Sequence, residues 1–245
     1  MNRYTHLARA RPDSSRQDHV PSKMAPFVPV GALLALPVFA GGPDPAIFNA
    51  GMENRLGLTF TPDGERAFWV EWDGAWGSKG TRRVIYTNRR CGDSWTEPKP
   101  ALFSQQYSDD DPFVSPDGQW LYFISERHAN DADTEPDADI WRYSLVEDGR
   151  LECLSINSEA AEYSPVVTSS GALYFASARD GGSGQGDLYR ATAHEDGFAT
   201  PELLGSAVNS PYGEWNLWVS EDESDLIFEA SSRPTNVSNS GDLYY

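Results

Sequence analysis

The residues of this 245-residue chain best placed to do acid, base or charge chemistry are carboxylates, and they recur. Asp109-Asp110-Asp111, Glu162 and Glu214 stand at near-equal intervals, each just ahead of an alternating apolar run, with Glu53 near the corresponding place earlier in the chain. Gathered at one mouth of a fold, such acids attract cations or a basic segment of a partner. Two carboxylates at fixed separation would instead suit a glycosidase, but a chain this acidic offers many pairs. A second set joins opposite charges: Arg127, Arg179 and Arg233 each precede, across a loop of variable length, Asp139, Asp187 and Asp242. Brought to adjacent strand ends, a guanidinium and a carboxylate form a bidentate bond. A pair that returns once per repeat is read as a structural clasp rather than a ligand site.

The remaining chemistry is sparse. Asp131, Asp133, Glu135, Asp137 and Asp139 alternate as the oxygen ligands of calcium can, yet they lack the central glycine and final glutamate of an EF-hand. No cofactor is expected, and calcium is the one ion the spacing would suit. Beyond the leader the histidines are His128 and His194, both in polar, turn-like segments, which leaves few candidates for a Ser-His-Asp triad. Gly181-Gly182-Ser183-Gly184-Gln185-Gly186 has Gln185 where a nucleophile elbow needs glycine, and no Gly-Lys-Ser/Thr follows to cradle phosphate, so it reads as a flexible inter-strand loop. Cys91 and Cys153 lack the spacing and histidine partners of a zinc site, and fall on different parts of adjacent repeats, so they are expected to be unpaired.

The elements that position these residues come from an internal repeat. LGLTFTPDGERAFWV (56–70), DPFVSPDGQWLYFISER (111–127), SPVVTSSGALYFASAR (164–179) and NLWVSEDESDLIFEASSR (216–233) align on Gly64, Gly118, Gly171 and Glu223, spaced by 54, 53 and 52 residues. Each holds an alternating strand, a tight turn and a second, aromatic strand, which predicts a hairpin. A third strand follows at Val84-Ile85-Tyr86, Asp139–Tyr143, Asp187–Arg190 and Asp242–Tyr244, and Gly92, Gly149 and Gly197 mark turns into a fourth. Sheets of four strands repeating every 50 or so residues cannot bury both faces alone, and radial stacking gives an all-β β-propeller. Four blades are visible, near 46–105, 106–158, 159–210 and 211–245, the last incomplete. The 21 glycines, 17 prolines and 12% aromatic residues suit that class and exclude a helix bundle.

The (F/V)-(S/T)-P-D-G turn, the aromatic strand ending in Ser-x-Arg and the later Asp-(Leu/Ile)-(Tyr/Trp) resemble the WD-like β-propeller repeats of TolB-type exported proteins. The resemblance covers about residues 46–245, with the second and third copies matching best. It implies a ring that usually has six blades, so this chain is expected to be C-terminally truncated and its ring incomplete unless residues 37–50 supply a strand. The first copy departs from the pattern at Glu71-Trp72-Asp73 and Val84, so no clasp is expected there. The peptidases that use such propellers carry a separate α/β-hydrolase domain, which is not visible here.

Residues 25–40, APFVPVGALLALPVFA, are too short and proline-rich for a bilayer span, and with Lys23 they read as a signal peptide cleaved after Ala40, with Met24 a candidate true start. Export to the periplasm or exterior follows. The net charge is −18, and because the leader is basic the rest of the chain carries −21. Such a surface repels nucleic acid and anionic lipid. The function expected is a non-enzymatic exported scaffold that binds a protein or peptide partner of basic character. The alternatives are a glycan-active propeller enzyme, its carboxylates drawn from Asp109–Asp111, Glu162 or Glu214, and the accessory propeller of a larger peptidase.

Overall fold

The computed structural model describes residues 55–72, 81–129, 137–147, 149–195, 197–237 and 241–245, which fall within one compact unit, Asn49–Tyr245. The leader with its cleavage site, and Asp131, Asp133 and Glu135, lie outside the described residues. The described chain is all β, with four antiparallel sheets arranged as a four-bladed propeller. The first blade contains β1 (Arg55–Phe60), β2 (Arg66–Trp72), β3 (Arg83–Cys91) and two short outer strands, β4 (Ser94–Trp95) and β5 (Lys99–Pro100), both paired with β3. The second runs β6 (Asp109–Val114), β7 (Trp120–Ser125), β8 (Asp139–Ser144) and β9 (Leu151–Cys153). The third runs β10 (Glu162–Val167), β11 (Leu173–Ser177), β12 (Asp187–Ala191) and an outer β15 (Glu202–Leu203). Around Gly197 the expected fourth strand is instead a small side hairpin, β13 (Ala193–His194) with β14 (Gly197–Phe198). The fourth blade has β16 (Gly213–Val219), β17 (Leu226–Ser231) and β18 (Gly241–Tyr244).

Strand alternation explains the stacking. Successive side chains of a strand leave opposite faces. In β7, Leu121 and Phe123 pack with Phe68, Val70 and Ile85 of the first blade, while Tyr122 and Ile124 pack with Val167, Leu173 and Phe175 of the third. In β11, Tyr174 and Ala176 turn the other way, to Leu217, Val219 and Phe228 of the fourth. Three apolar seams therefore join the four blades, and β7 and β11 are buried on both faces because each serves two seams. Blade stacking, not hairpin formation alone, supplies the burial that holds these short strands.

The turns at the far end of each hairpin follow the sequence closely. Thr61 Oγ1 donates to Asp63 Oδ1 (2.6 Å), which also accepts from Glu65 N (2.9 Å), and Ser115 with Asp117 repeats the arrangement. Gly64 and Gly118 take the left-handed φ of +69° that closes such turns. In the fourth copy Glu223 occupies that place with φ +61°. Its carboxylate accepts from Arg190 Nε (2.9 Å), Tyr174 Oη (2.6 Å), Ser170 Oγ (2.5 Å) and Thr168 Oγ1 (3.2 Å), all in the third blade. The residue that breaks the turn pattern thus ties two blades together.

Partial burial acts to raise the carboxyl pKa of Glu223, but the hydrogen bonds from Arg190, Ser170 and Tyr174 outweigh it and hold the group at about 2. Because the folded value lies below the unfolded one, the interaction stabilises fully above about pH 4.5 and is lost as pH falls toward 2. Glu223→Gln is therefore expected to lower the urea midpoint at pH 7 and to leave a smaller deficit at pH 3. An equal deficit at both pH values would contradict the assignment.

Candidate binding site at the axial ends of the inner strands

The inner strands β1, β6, β10 and β16 begin at one end of the propeller, and their first residues form a ring of charge: Arg55, Asp109, Glu162 and, one residue into β16, Glu214. The three acids have no solvent exposure, and each meets an arginine two residues beyond the second strand of its own blade. Arg127 Nη2 lies 2.7 Å from Asp109 Oδ1, Arg179 Nη2 2.8 Å from Glu162 Oε1, and Arg233 Nη2 2.7 Å from Glu214 Oε1. Each guanidinium sits against the aromatic rings of its blade, Phe123 and Trp141, Phe175 and Tyr189, or Phe228 and Tyr244. Each also donates to a carbonyl in the segment leading into its blade, Phe103, Ile156 or Val208. This geometry explains the spacing of Phe123-x-Ser125-x-Arg127: the ring provides a face, the serine a second acceptor for Nε, and the arginine turns back over both.

The expected pairing of these arginines with Asp139, Asp187 and Asp242 is thereby corrected. Asp187 Oδ2 accepts from the backbone of Ser183 (2.9 Å) and Gly184 (3.0 Å), and Asp242 accepts from Val237 N. Asp139 is buried at the equivalent place in β8. Asp187 and Asp242 thus secure the loops before them through backbone amides, while the arginines secure the first strand. The glycine-rich loop is correspondingly ordered. Gln185 N bonds Tyr212 O, Glu214 N bonds Gly186 O, and a Cβ at Gly186 would stand 2.1 Å from the Trp215 ring. The first blade is corrected too, since it has a clasp with the charges exchanged: Arg55 Nη2 lies 2.5 Å from Glu71 Oε1 and its guanidinium stacks on Trp69.

With Asp109, Glu162 and Glu214 consumed, the open acidic mouth shrinks to Asp110 and Asp111. A bulge interrupts each inner strand just beyond its first residues, at Leu56/Thr59, Asp110/Phe113, Tyr163/Val166 and Trp215/Trp218. It places Gly57, Asp111, Ser164 and Asn216 in the left-handed region, with φ of 64°, 48°, 51° and 46°. At Gly57 the absence of a side chain also admits Pro112, whose Cδ would lie 3.0 Å from a Cβ. The other three are short polar residues held in a costly backbone state, as occurs where a protein fixes side chains for use. They are linked. Asp111 Oδ2 accepts from Ser164 N (2.8 Å), Ser164 Oγ lies 3.4 Å from Asn216 Oδ1, and Asn216 Nδ2 donates to Glu229 Oε2 (2.6 Å). On the other side Asp110 Oδ1 accepts from Asp111 N (2.8 Å), and Asp110 Oδ2 meets Arg83 Nη1 at 3.2 Å. Arg83 extends to Glu126 (2.5 Å). The left-handed quartet and Arg83 are not apparent from motif reading; the one signal available is that positions 57, 111, 164 and 216 recur with the repeat.

Electrostatics mark the same place. Burial, then the neighbouring Asp111, pushes the Asp110 carboxyl up to about 7, against the opposing pull of Arg83, and burial raises Asp111 as well. Among the described residues no group of three His, Cys, Asp or Glu side chains could hold a metal ion. His128 and His194 are both exposed, and no disulfide joins Cys91 to Cys153.

No family model and no curated protein matches the chain. Solved structures similar to it include a puromycin-hydrolyzing peptidase of Mycobacterium tuberculosis (16% identity, TM-score 0.48, 74% of this chain and 26% of that one). A post-proline cleaving enzyme from Rickettsia typhi matches at 8% identity and TM-score 0.44, over 70% of this chain and 24% of that one. An endo-arabinase from Bacteroides thetaiotaomicron matches at 17% and 0.42, over 73% and 70%. The chain spans about a quarter of the length of the two peptidases.

Asp110 binds its proton more tightly folded than unfolded, so it costs stability as pH rises from about 4 to about 7. Asp110→Asn removes that cost and is expected to gain roughly 1–3 kcal/mol on wild type across this window, read from urea denaturation. Parallel stability profiles from pH 4 to 8 would contradict the burial argument.

Proposed function

We propose that this propeller is a non-catalytic binding module, exported through its leader, that receives a basic segment of a protein or peptide partner at the axial ends of its inner strands. The observation that carries the reading is the pair Asp110 and Asp111. They are desolvated, share Arg83 as their one nearby countercharge among the described residues, and stand beside exposed Asn216 and the edge-to-face rings of Tyr163 and Trp215, 5.5 Å apart. A lysine or arginine brought to these carboxylates supplies the missing positive charge, and aromatic faces beside them favour a cation further. Net charge of −18 steers such a segment inward. The recurrent acids and arginines, being satisfied by one another, support the module and leave its partner to the bulge ring.

A cation that binds the ionised carboxylates displaces their proton, so affinity for a lysine-rich peptide is expected to rise from pH 6 to pH 8. Calorimetric titration of such a peptide should show this. Asp110→Asn/Asp111→Asn should weaken binding about tenfold or more, since asparagine tolerates the left-handed state at 111 and keeps the fold. Binding that is independent of pH and unchanged in the double variant would overturn the reading. A second reading, a glycan-active enzyme, is favoured by the one carboxyl held near 7, where a general acid works well. Release of sugar from a glycan such as arabinan, abolished by Asp110→Asn, would replace the first reading with it.

A further inference from the structure

All six arginine and lysine residues after Lys99 form ion pairs, at Arg127, Arg142, Arg150, Arg179, Arg190 and Arg233. The first blade differs. Arg66, Arg89 and Lys99 form no ion pair among the described residues, and all three line one cleft of about 500 Å³ between the outer part of the first blade and the turn side of the second. Arg66 is the innermost: its Nε donates to Thr87 Oγ1 (3.1 Å) and its guanidinium lies over the Phe68 ring (4.4 Å), so it is fixed in place without a carboxylate. Arg89 and Lys99 are exposed at the rim, and Glu97 is the one acid among the lining side chains. Burial, then the neighbouring Arg89, lowers the pKa of Arg66, with Tyr143 opposing.

The opposite wall is apolar. Leu102 is 77% exposed and Val146 68% exposed, and both line the cleft beside Pro100 and Leu145. A concentration of unpaired cations is anomalous on a chain of net charge −18, where nearby carboxylates are abundant. The volume falls within the range of small-molecule sites, and the lining joins a polar, charged side to an apolar one. We infer that the cleft binds a small organic anion, a carboxylate with an apolar portion, whose head lies between Arg66, Arg89 and Lys99 and whose body covers Leu102 and Val146. A guanidinium held by a ring and a hydroxyl leaves its fork free to meet a carboxylate in bidentate fashion. The site is separate in sequence and position from the Asp110–Asp111 ring and does not depend on what binds there.

The test is calorimetric titration of the full chain with three probes: octanoate, acetate and octylammonium. Octanoate is expected to bind with one-to-one stoichiometry and at least about tenfold more tightly than acetate, because the tail adds burial, and octylammonium is expected not to bind. Arg89→Gln/Lys99→Gln changes two exposed side chains outside the packed seams, so it should keep the wild-type urea midpoint while weakening octanoate about tenfold or more. Asp110→Asn/Asp111→Asn should leave octanoate affinity unchanged, which separates this proposal from the partner site. Equal binding of octanoate and octylammonium, octanoate affinity untouched by Arg89→Gln/Lys99→Gln, or no octanoate binding at millimolar concentration would each overturn it.

Discussion

The propeller depends on a guanidinium, buried in the second blade and partly buried in the third and fourth, that meets a fully buried carboxylate at the axial end of each later blade. Taking both charges out of water is costly, and the pair holds only where every remaining lone pair and proton has a partner. The third and fourth blades meet that condition, whereas in the second Asp109 Oδ2 is buried without a hydrogen-bond partner among the described residues. Glu162 receives Ser158 N and Oγ, Ser177 Oγ and Arg179, and Glu214 receives Ser210 N and Oγ and both ends of the Arg233 fork. Because each arginine also bonds a carbonyl of the segment entering its blade, one side chain fixes the start of the inner strand, the end of the second strand and the link from the blade before. The strand register that results sets the bulge, and the bulge sets the left-handed ring. Arg55 and Glu71 keep the constraint in the first blade with the charges exchanged.

Much of this was legible in the sequence. Repeated hairpins with Pro-Asp-Gly turns and aromatic second strands announce stacked blades, because alternation in a strand buried on both faces leaves few other packings. The clasp partner was not legible, for a geometric reason. Ser177 stands opposite Glu162 on one side and Asp187 on the other, so both acids flank the residue two before Arg179. Sequence adjacency suggests the aspartate, but the amides of Ser183 and Gly184 already fill one of its oxygens. The fourth copy adds one residue before Arg233, and Ser232 absorbs it with φ +63°, so a broken motif still delivers its arginine to the same carboxylate.

Charge satisfaction divides the molecule into what holds it and what it offers. In blades two to four each arginine is spent on an internal acid, and the recurrent carboxylates at the inner-strand starts are spent likewise. Two unbalanced clusters stand apart from the exposed surface acids: two crowded carboxyls at the bulge ring, and three cations in the cleft beside the first blade. Both stand on rigid supports, the ring on inner strands pinned by the clasps and Arg66 on a strand packed in the first seam. Binding groups so mounted keep their geometry without a partner present, which lowers the entropy lost on association.

The clasp itself is tested most directly by two double-mutant cycles in urea denaturation, one combining Arg179→Ala with Glu162→Gln and the other combining Arg179→Ala with Asp187→Asn. The account predicts a coupling energy of about 2–4 kcal/mol between Arg179 and Glu162, and one within about 0.5 kcal/mol of zero between Arg179 and Asp187. A large coupling to Asp187 with none to Glu162 would return the arginine to the third-strand aspartate and remove the constraint from which the bulge ring is derived.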